Sequence, residues 1–338
     1  MNDNSRYWYS HLAVFLLLAV LIAAGGFLFF SRSKWSTEEI RVSGEIDSVH
    51  ESVAEKQESV EEIKILFLGD IMFDRYIRQV AKRKGYDFVF QDVDNLLKEK
   101  DLVVANLEGP LTDNKSVSAT SEFGERNNYI FTFDPQVAPI LKNHNINLIN
   151  LGNNHILNFR QNGLEQTKKY LSDAGVKYFC DKDIRYTLYK IPASPAGGHN
   201  TTLSFVCYNQ FESDAVEKAL ADIGEVKKSA DVVILYAHWG KEYETKADAK
   251  QKELAHKFID AEADLIIGSH SHVVQEKEIY QGKTIYYSLG NFIFDQYFNS
   301  ETMKGLAVET IINPVTKDIK FKEHQLQMKN NGQTEWKK

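Results

Sequence analysis

Two histidines one residue apart, His270 and His272, follow an apolar run, Leu265–Ile267, that stops at Gly268. In an extended segment residues i and i+2 point to the same side. Both imidazoles are therefore expected to face one point at the carboxyl end of a strand, where open α/β sheets place their ligands. Neutral imidazole is also the commonest metal-binding side chain. Four more apolar runs end in the same manner: IKILFLGD in Asp70, DLVVANLEG in Asn106 and Glu108, INLINLGNNH in Asn154 and His155, and DVVILYAHWG in His238. All five ends are expected on one rim of the sheet. Two carboxylates, an amide and three or four imidazoles suit a pair of divalent transition ions such as Mn, Zn or Fe. A carboxylate can bridge two cations, and a pair about 3.5–4 Å apart activates a water and holds the oxygens of a displacement. One polar residue after a strand is ordinary solvation; five such ends are not.

The elements that must carry these residues alternate. Strands are expected at the five runs and at VKYFC and TLSFVCYNQ, and helices at Tyr76–Lys84, Val93–Lys98, Pro135–Asn143, Gly163–Ala174, Ser213–Lys228 and Asp248–Ala261. Strand–helix alternation argues α/β. Late in the chain KEIYQGKTIYYSLGNFIFD reads as a hairpin turning at Gln281-Gly282-Lys283, and GLAVETIIN with IKFKEHQLQM as a second. Residues 112–130, rich in serine, asparagine and charge, are expected to loop over the site.

Composition narrows the function classes. A net charge of −7 with no basic stripe argues against a nucleic-acid partner. Cys180 and Cys207 are the only cysteines, too few for a disulfide framework or a four-thiolate zinc site. Two buried free thiols are expected, with one bridge as the alternative. Leu12–Phe30 carries no charge and is long enough to cross a bilayer core about 30 Å thick. It reads as an uncleaved anchor, because Phe27–Phe30 continues the apolar run past the small residues that would mimic a cleavage site. Arg32, Lys34 and Arg41 after the run outnumber Arg6 before it, which leans toward a cytoplasmic carboxyl side. The segment 32–62 is an acidic stalk. It is either a solvated spacer or, through Val42, Ile46, Val49, Val53, Val60 and Ile63, a short heptad seam. The expected domains are a tail and anchor over 1–31, the stalk over 32–62 and a globular domain over 63–330.

The ordered set GDIMFDR, NLEGPL, LGNNH, HWGKEY, GSHSHVVQ and YSLGNFIFD resembles the CapA family of poly-γ-glutamate capsule biosynthesis proteins, PgsA-type. It covers about Ile63–Asp295. The resemblance implies a relative of calcineurin-like metallophosphoesterases: a two-sheet sandwich flanked by helices, preceded here by the transmembrane helix. It implies a single-pass cell-membrane protein with an extracellular carboxyl domain, working with a polyglutamate synthase membrane complex, an anionic glutamate polymer and the lipid bilayer. Three functions stay open: a part in polymer synthesis or export, an extracellular metal-dependent phosphoesterase unrelated to capsule, and a non-catalytic scaffold. Residue by residue, Asp70 would ligate a first metal, Glu108 would bridge, and Asn154 and His238 would bind the second. His270 would join them and His272 would reach back to the first. His155 matches the general acid. Around them, Asn106, Glu242 and Asn291 are candidates to orient ligands. Arg75 either contacts an anionic substrate or pairs with a carboxylate, and Trp239 is expected to pack. Two departures stand out. Ile71-Met72 follow Asp70 where the phosphoesterases have Asp-x-His, and Asn158 and Arg160 replace the aspartate and glycine expected after LGNNH.

Overall fold

The computed structural model describes residues 61–122, 124–192 and 200–337. Residue contacts divide the chain into Met1–Lys56 and Gln57–Lys338, and the described fold lies within the second unit. The expected anchor and nearly all of the stalk fall outside the described residues. Among those residues no helix is long and apolar enough to cross a membrane.

The strands form two sheets rather than one. In the first, β14 (Thr334–Trp336), β13 (Ile319–Met328), β12 (Lys304–Ile312), β1 (Ile63–Ile71), β2 (Leu102–Leu107), β3 (Ile146–Asn150) and β4 (Lys177–Phe179) lie side by side, and β11 (Asn291–Ile293) also pairs with β1. β1 through β4 are parallel; β12, β13 and β14 add antiparallel neighbours. The second sheet runs β5 (Tyr186–Ile191), β6 (Thr201–Asn209), β7 (Val232–His238), β8 (Leu265–Ser269), β10 (Lys283–Tyr286) and β9 (Lys277–Tyr280). β6, β7, β8 and β10 are parallel, and β5 and β9 close its edges antiparallel.

Burial explains the continuous apolar runs, since a parallel sheet covered on both faces needs no polar alternation. In β1, Ile65 and Phe67 face the second sheet and pack with Phe205, Ile234, Tyr236 and Ile267. Leu66 and Leu68 face the other way, onto α1 (Arg75–Lys84), α2 (Asp94–Lys98), α3 (Val137–Asn143) and α4 (Arg160–Asp173). The outer face of the second sheet is covered by α5 (Ala215–Val226) and α6 (Ala249–Asp260). The last of these starts at a capping box between Asp248 and Gln251. The result is a helix–sheet–sheet–helix sandwich, as the resemblance implied.

Three expectations need correction. The five strand ends do not share the rim of a single sheet: β1, β2 and β3 supply three, and β7 and β8 of the other sheet supply two. The SLGNFIFD segment is no extension of a hairpin. It crosses between the sheets, and β11 pairs in parallel with the end of β1, Asp70 opposite Asn291. The close passage there requires Gly69, where a Cβ would stand 1.8 Å from the carbonyl oxygen of Gly290. Finally, Cys180 and Cys207 are not free thiols but a disulfide. The bridge ties the end of β4 to β6 across the two sheets, with Cα atoms 5.0 Å apart. Sheet packing creates that proximity, and a sequence separation of 27 residues conceals it.

The disulfide closes a loop worth about 3.5 kcal/mol in the chain-entropy treatment. Reduction with a non-thiol reductant is expected to lower the denaturant midpoint of the folded domain, and Cys180→Ser/Cys207→Ser to match reduced wild type. An unchanged midpoint would show that the sulfurs are not joined.

Candidate metal centre

The site is assembled where the carboxyl ends of the two sheets meet. Asp70 is the penultimate residue of β1 and Glu108 follows β2; both are completely buried. Asn106 sits between them. Its amide donates to Asp70 Oδ1 at 2.8 Å and to Glu108 Oε2, while its own oxygen accepts from Asn150 at 2.9 Å and Asn153 at 3.2 Å. Asn153 in turn accepts from the backbone N–H of His155 and Ile156. That Asx turn fixes how Asn154 and His155 leave β3.

From the second sheet, His238 ends β7. Its Nδ1 meets Ser269 Oγ at 3.0 Å, and its Nε2 lies 2.9 Å from Asn154 Oδ1 and 3.5 Å from Glu108 Oε1. His270 and His272 converge as expected, but not by strand alternation. β8 stops at Ser269, and both histidines have left-handed backbone, φ 91° and 58°. Such conformations are uncommon outside glycine and concentrate at functional sites, where the surrounding structure holds them. The turn brings the backbone N–H of His270 to Asp70 Oδ2 at 3.1 Å and the His270 ring to 4.7 Å from that of His238. His272 Nδ1 lies 3.4 Å from Asp70 Oδ2 and 3.0 Å from Asn291 Oδ1. Asn291 donates to the His272 carbonyl, Gln296 and the Thr302 carbonyl, so its oxygen is held toward the imidazole.

Donor atoms of Glu108, His238 and His270 all lie within 4.8 Å of one another. Glu108 Oε1 and His270 Nδ1 are buried with no hydrogen-bond partner. Burial, then the nearby Asp70 carboxylate, pushes the Glu108 carboxyl well above its ordinary value. Burial, then neighbouring imidazoles, pushes His238 well below its own and brings His270 down to about 4. Among the described residues no lysine or arginine pairs with either carboxylate. Orphaned donors, crowded carboxylates and imidazoles held neutral are what a divalent cation relieves, so the residues fit a metal.

The remaining candidates divide. His155 is half-buried beside the cluster, its ring 4.3 Å from Phe131, and burial with the His272 charge brings it down to about 4. Asn158 answers one departure from the family pattern: it takes the Phe131 N–H at 2.8 Å and reaches His155 Nδ1 at 3.3 Å. Arg160 answers the other, adopting the left-handed turn (φ 53°) that glycine would make more easily. Arg75 takes the second of its two readings and pairs with Asp295. Glu242 is exposed, yet its charge adds to the upward push on Glu108. Trp239 packs, donating to the Tyr287 carbonyl at 2.9 Å. Met72, standing where the phosphoesterase pattern has a histidine, is buried and accepts the Asp74 N–H on sulfur. Sequence reading missed Ser269, Gln296 and Phe211, whose half-exposed ring stands edge-on to His270 at 4.9 Å. Ser269 had a signal, lying beside His270; Phe211 had none.

The profile of the family described as bacterial capsule synthesis protein PGA_cap matches residues 64–183 and 185–296, a span holding every residue of this cluster. The chain belongs to that family. It is 33% identical over 245 residues to the PGA biosynthesis protein CapA of Bacillus subtilis, covering 68% of this chain and 63% of that protein. The capsule biosynthesis protein CapA of Bacillus anthracis is 31% identical over 264 residues, 71% of this chain and 62% of its own. The chain thus spans a little under two thirds of each Bacillus relative. Among solved structures, a phosphatase from Mycoplasma pneumoniae superposes with a TM-score of 0.47 at 14% identity, covering 79% of this chain and 94% of that one.

Because the fold raises the Glu108 carboxyl, its ionisation costs stability as pH rises through the unfolded value toward the folded one. Chelator-treated Glu108→Gln is therefore expected to melt above chelator-treated wild type at pH 7, while losing the stabilisation that added Mn or Zn gives wild type. Metal affinity of wild type should fall as pH falls, since Glu108 must release its proton. A Glu108→Gln protein that gains from metal as wild type does would contradict the assignment.

Proposed function

We propose that this chain is a membrane-anchored, externally displayed component of the machinery that makes or exports γ-linked glutamate polymer, and that it holds divalent cations at the cluster. The observation carrying the metal reading is the meeting of Glu108, His238 and His270 from two sheets, with two buried donor atoms left without partners. Family membership supports the biological setting. The named roles of the Bacillus proteins are theirs; for this chain the polymer, the synthase membrane complex and the bilayer are proposed partners. The disulfide favours an oxidising compartment, and we weigh it above the three basic residues that follow the apolar run.

In this reading Asp70 and His272 would hold one ion and Asn154, His238 and His270 the other, with Glu108 a ligand available to either. Bound there, Mn, Zn or Fe would polarise a phosphoryl or amide oxygen and lower the pKa of a water. The chain's own groups do the rest. Asn106 keeps the two carboxylates apart, while Ser269 and Asn291 fix the rings of His238 and His272. Phe131 and Phe211 shield the cluster from solvent. His155, brought down to about 4, is neutral at pH 7, and would have to be protonated before it could give a proton to a leaving oxygen.

Purified wild type is expected to carry Mn, Zn or Fe, and His270→Ala/His272→Ala to lose it. Equal metal content in both would remove the site. Turnover of an aryl phosphoester by wild type, lost in His155→Ala with metal retained, would establish hydrolysis. Metal without turnover would instead favour a centre that grips carboxylates.

A further inference from the structure

On the His272 side of the cluster lies a cavity of about 270 Å³, bordered by Arg75, Asn128, Tyr129, Tyr243, Gln296 and Phe298. Two sets of contacts join it to the metal centre. The Arg75 guanidinium lies over Phe131 at 5.1 Å and Phe294 at 5.5 Å, and those rings rest against His155 and His272 respectively, at 4.3 and 4.8 Å. A hydrogen-bonded chain also runs along its wall. Gln296 donates to the Tyr243 hydroxyl at 3.2 Å, Asn291 donates to Gln296 at 3.1 Å, and Asn291 Oδ1 meets His272 Nδ1 at 3.0 Å. The Tyr243 ring is 6.2 Å from that of His272. The cavity is thus separated from the cluster by a single layer of side chains, Phe131, Phe294 and Tyr243.

The wall's chemistry says what kind of group. Its charged side chains are Arg75 and Asp295, and they cancel: the guanidinium pairs with Asp295 and donates to Asn128 at 3.0 Å, while the second Asp295 oxygen takes the Tyr76 N–H at 3.1 Å. The exposed Glu242 carboxylate lies near enough to Tyr243 to join burial in pushing its hydroxyl up. A carboxylate or phosphate entering would find no uncompensated cation and one nearby anion. Three exposed aromatic side chains line it, Tyr129, Tyr243 and Phe298, at 39%, 40% and 54%, the last two edge to face at 5.5 Å, beside the exposed amide of Gln79 and the Ser121 hydroxyl. Aromatic faces with amide and hydroxyl edges suit a ring that is apolar on its flat side and hydrogen-bonding at its rim. The volume falls just below the roughly 300–1,000 Å³ of drug-sized pockets, room for one ring rather than a length of polymer.

We propose that this cavity is a subsite for an uncharged sugar ring, borne by the molecule whose reacting group lies over the cluster. The second clause rests on the metal reading above; binding of the sugar does not.

Saturation-transfer NMR on the full chain, free of sugar-based detergent, tests it with maltose and N,N′-diacetylchitobiose, with tri-γ-glutamate as competitor. One of the sugars is expected to receive saturation in both chelator-treated and metal-loaded protein. Binding should weaken about fivefold in Tyr243→Ala and in Phe298→Ala, and tri-γ-glutamate should not displace it. Both side chains are exposed, so the variants keep the fold. Transfer to neither sugar, transfer indifferent to both substitutions, or displacement by tri-γ-glutamate would overturn the proposal. Failure of the metal reading would show separately, as a protein that binds no metal yet still binds the sugar.

Discussion

Two carboxylates, Asp70 and Glu108, are buried completely and side by side, with imidazoles and amides around them and no ammonium or guanidinium paired to either among the described residues. Burying like charges together is costly unless a proton or a cation is shared between them. Much else in the molecule answers that constraint. Asn106 gives each carboxylate a donor, the His270 backbone gives Asp70 another, and burial holds the His238 and His270 rings below their ordinary values, so they can ligate but do not neutralise. The arrangement is electrostatically incomplete as protein alone.

Meeting the constraint requires two sheets to bring their rims together, and close backbone approach makes that feasible. Gly69 lets the SLGN segment pass against β1, and through that passage Asn291 reaches His272. Gly152 lies against the Cys180–Cys207 bridge, where a Cβ would stand 1.9 Å from the Cys180 sulfur. The covalent tie between the sheets therefore sits directly behind the turn that presents Asn154 to His238. Tyr236 adds a polar tie, its hydroxyl donating to the Leu68 carbonyl at 2.6 Å across the interface. The buried polar cluster and the inter-sheet core are one construction problem.

Most of this was legible in the sequence because apolar runs ending in polar clusters are local signals, and five of them named nearly every residue that the fold brings together in the cluster. The reason given for the His270–His272 convergence was local too, and it failed. A period-two argument needs extended backbone, and the chain turns left-handed at both histidines instead. What stayed hidden depends on packing between sheets. Neither the disulfide, the crossing of SLGNFIFD to pair with β1, nor the placing of Phe211 over His270 is written in any single segment. β5 and β14 escaped because one is a half-exposed edge and the other three residues long. Arg75 shows the same limit: a basic residue in a motif suggests an anion, whereas Asp295, more than two hundred residues later, already occupies it.

The central claim is that carboxylate from one sheet and imidazole from the other share an ion. Anomalous diffraction from crystals grown with Mn or Zn tests it directly. The account predicts a peak within about 2.0–2.3 Å of Glu108 oxygen and of His238 and His270 nitrogens together. Ions bound to one sheet alone, or no peak at the cluster, would contradict it.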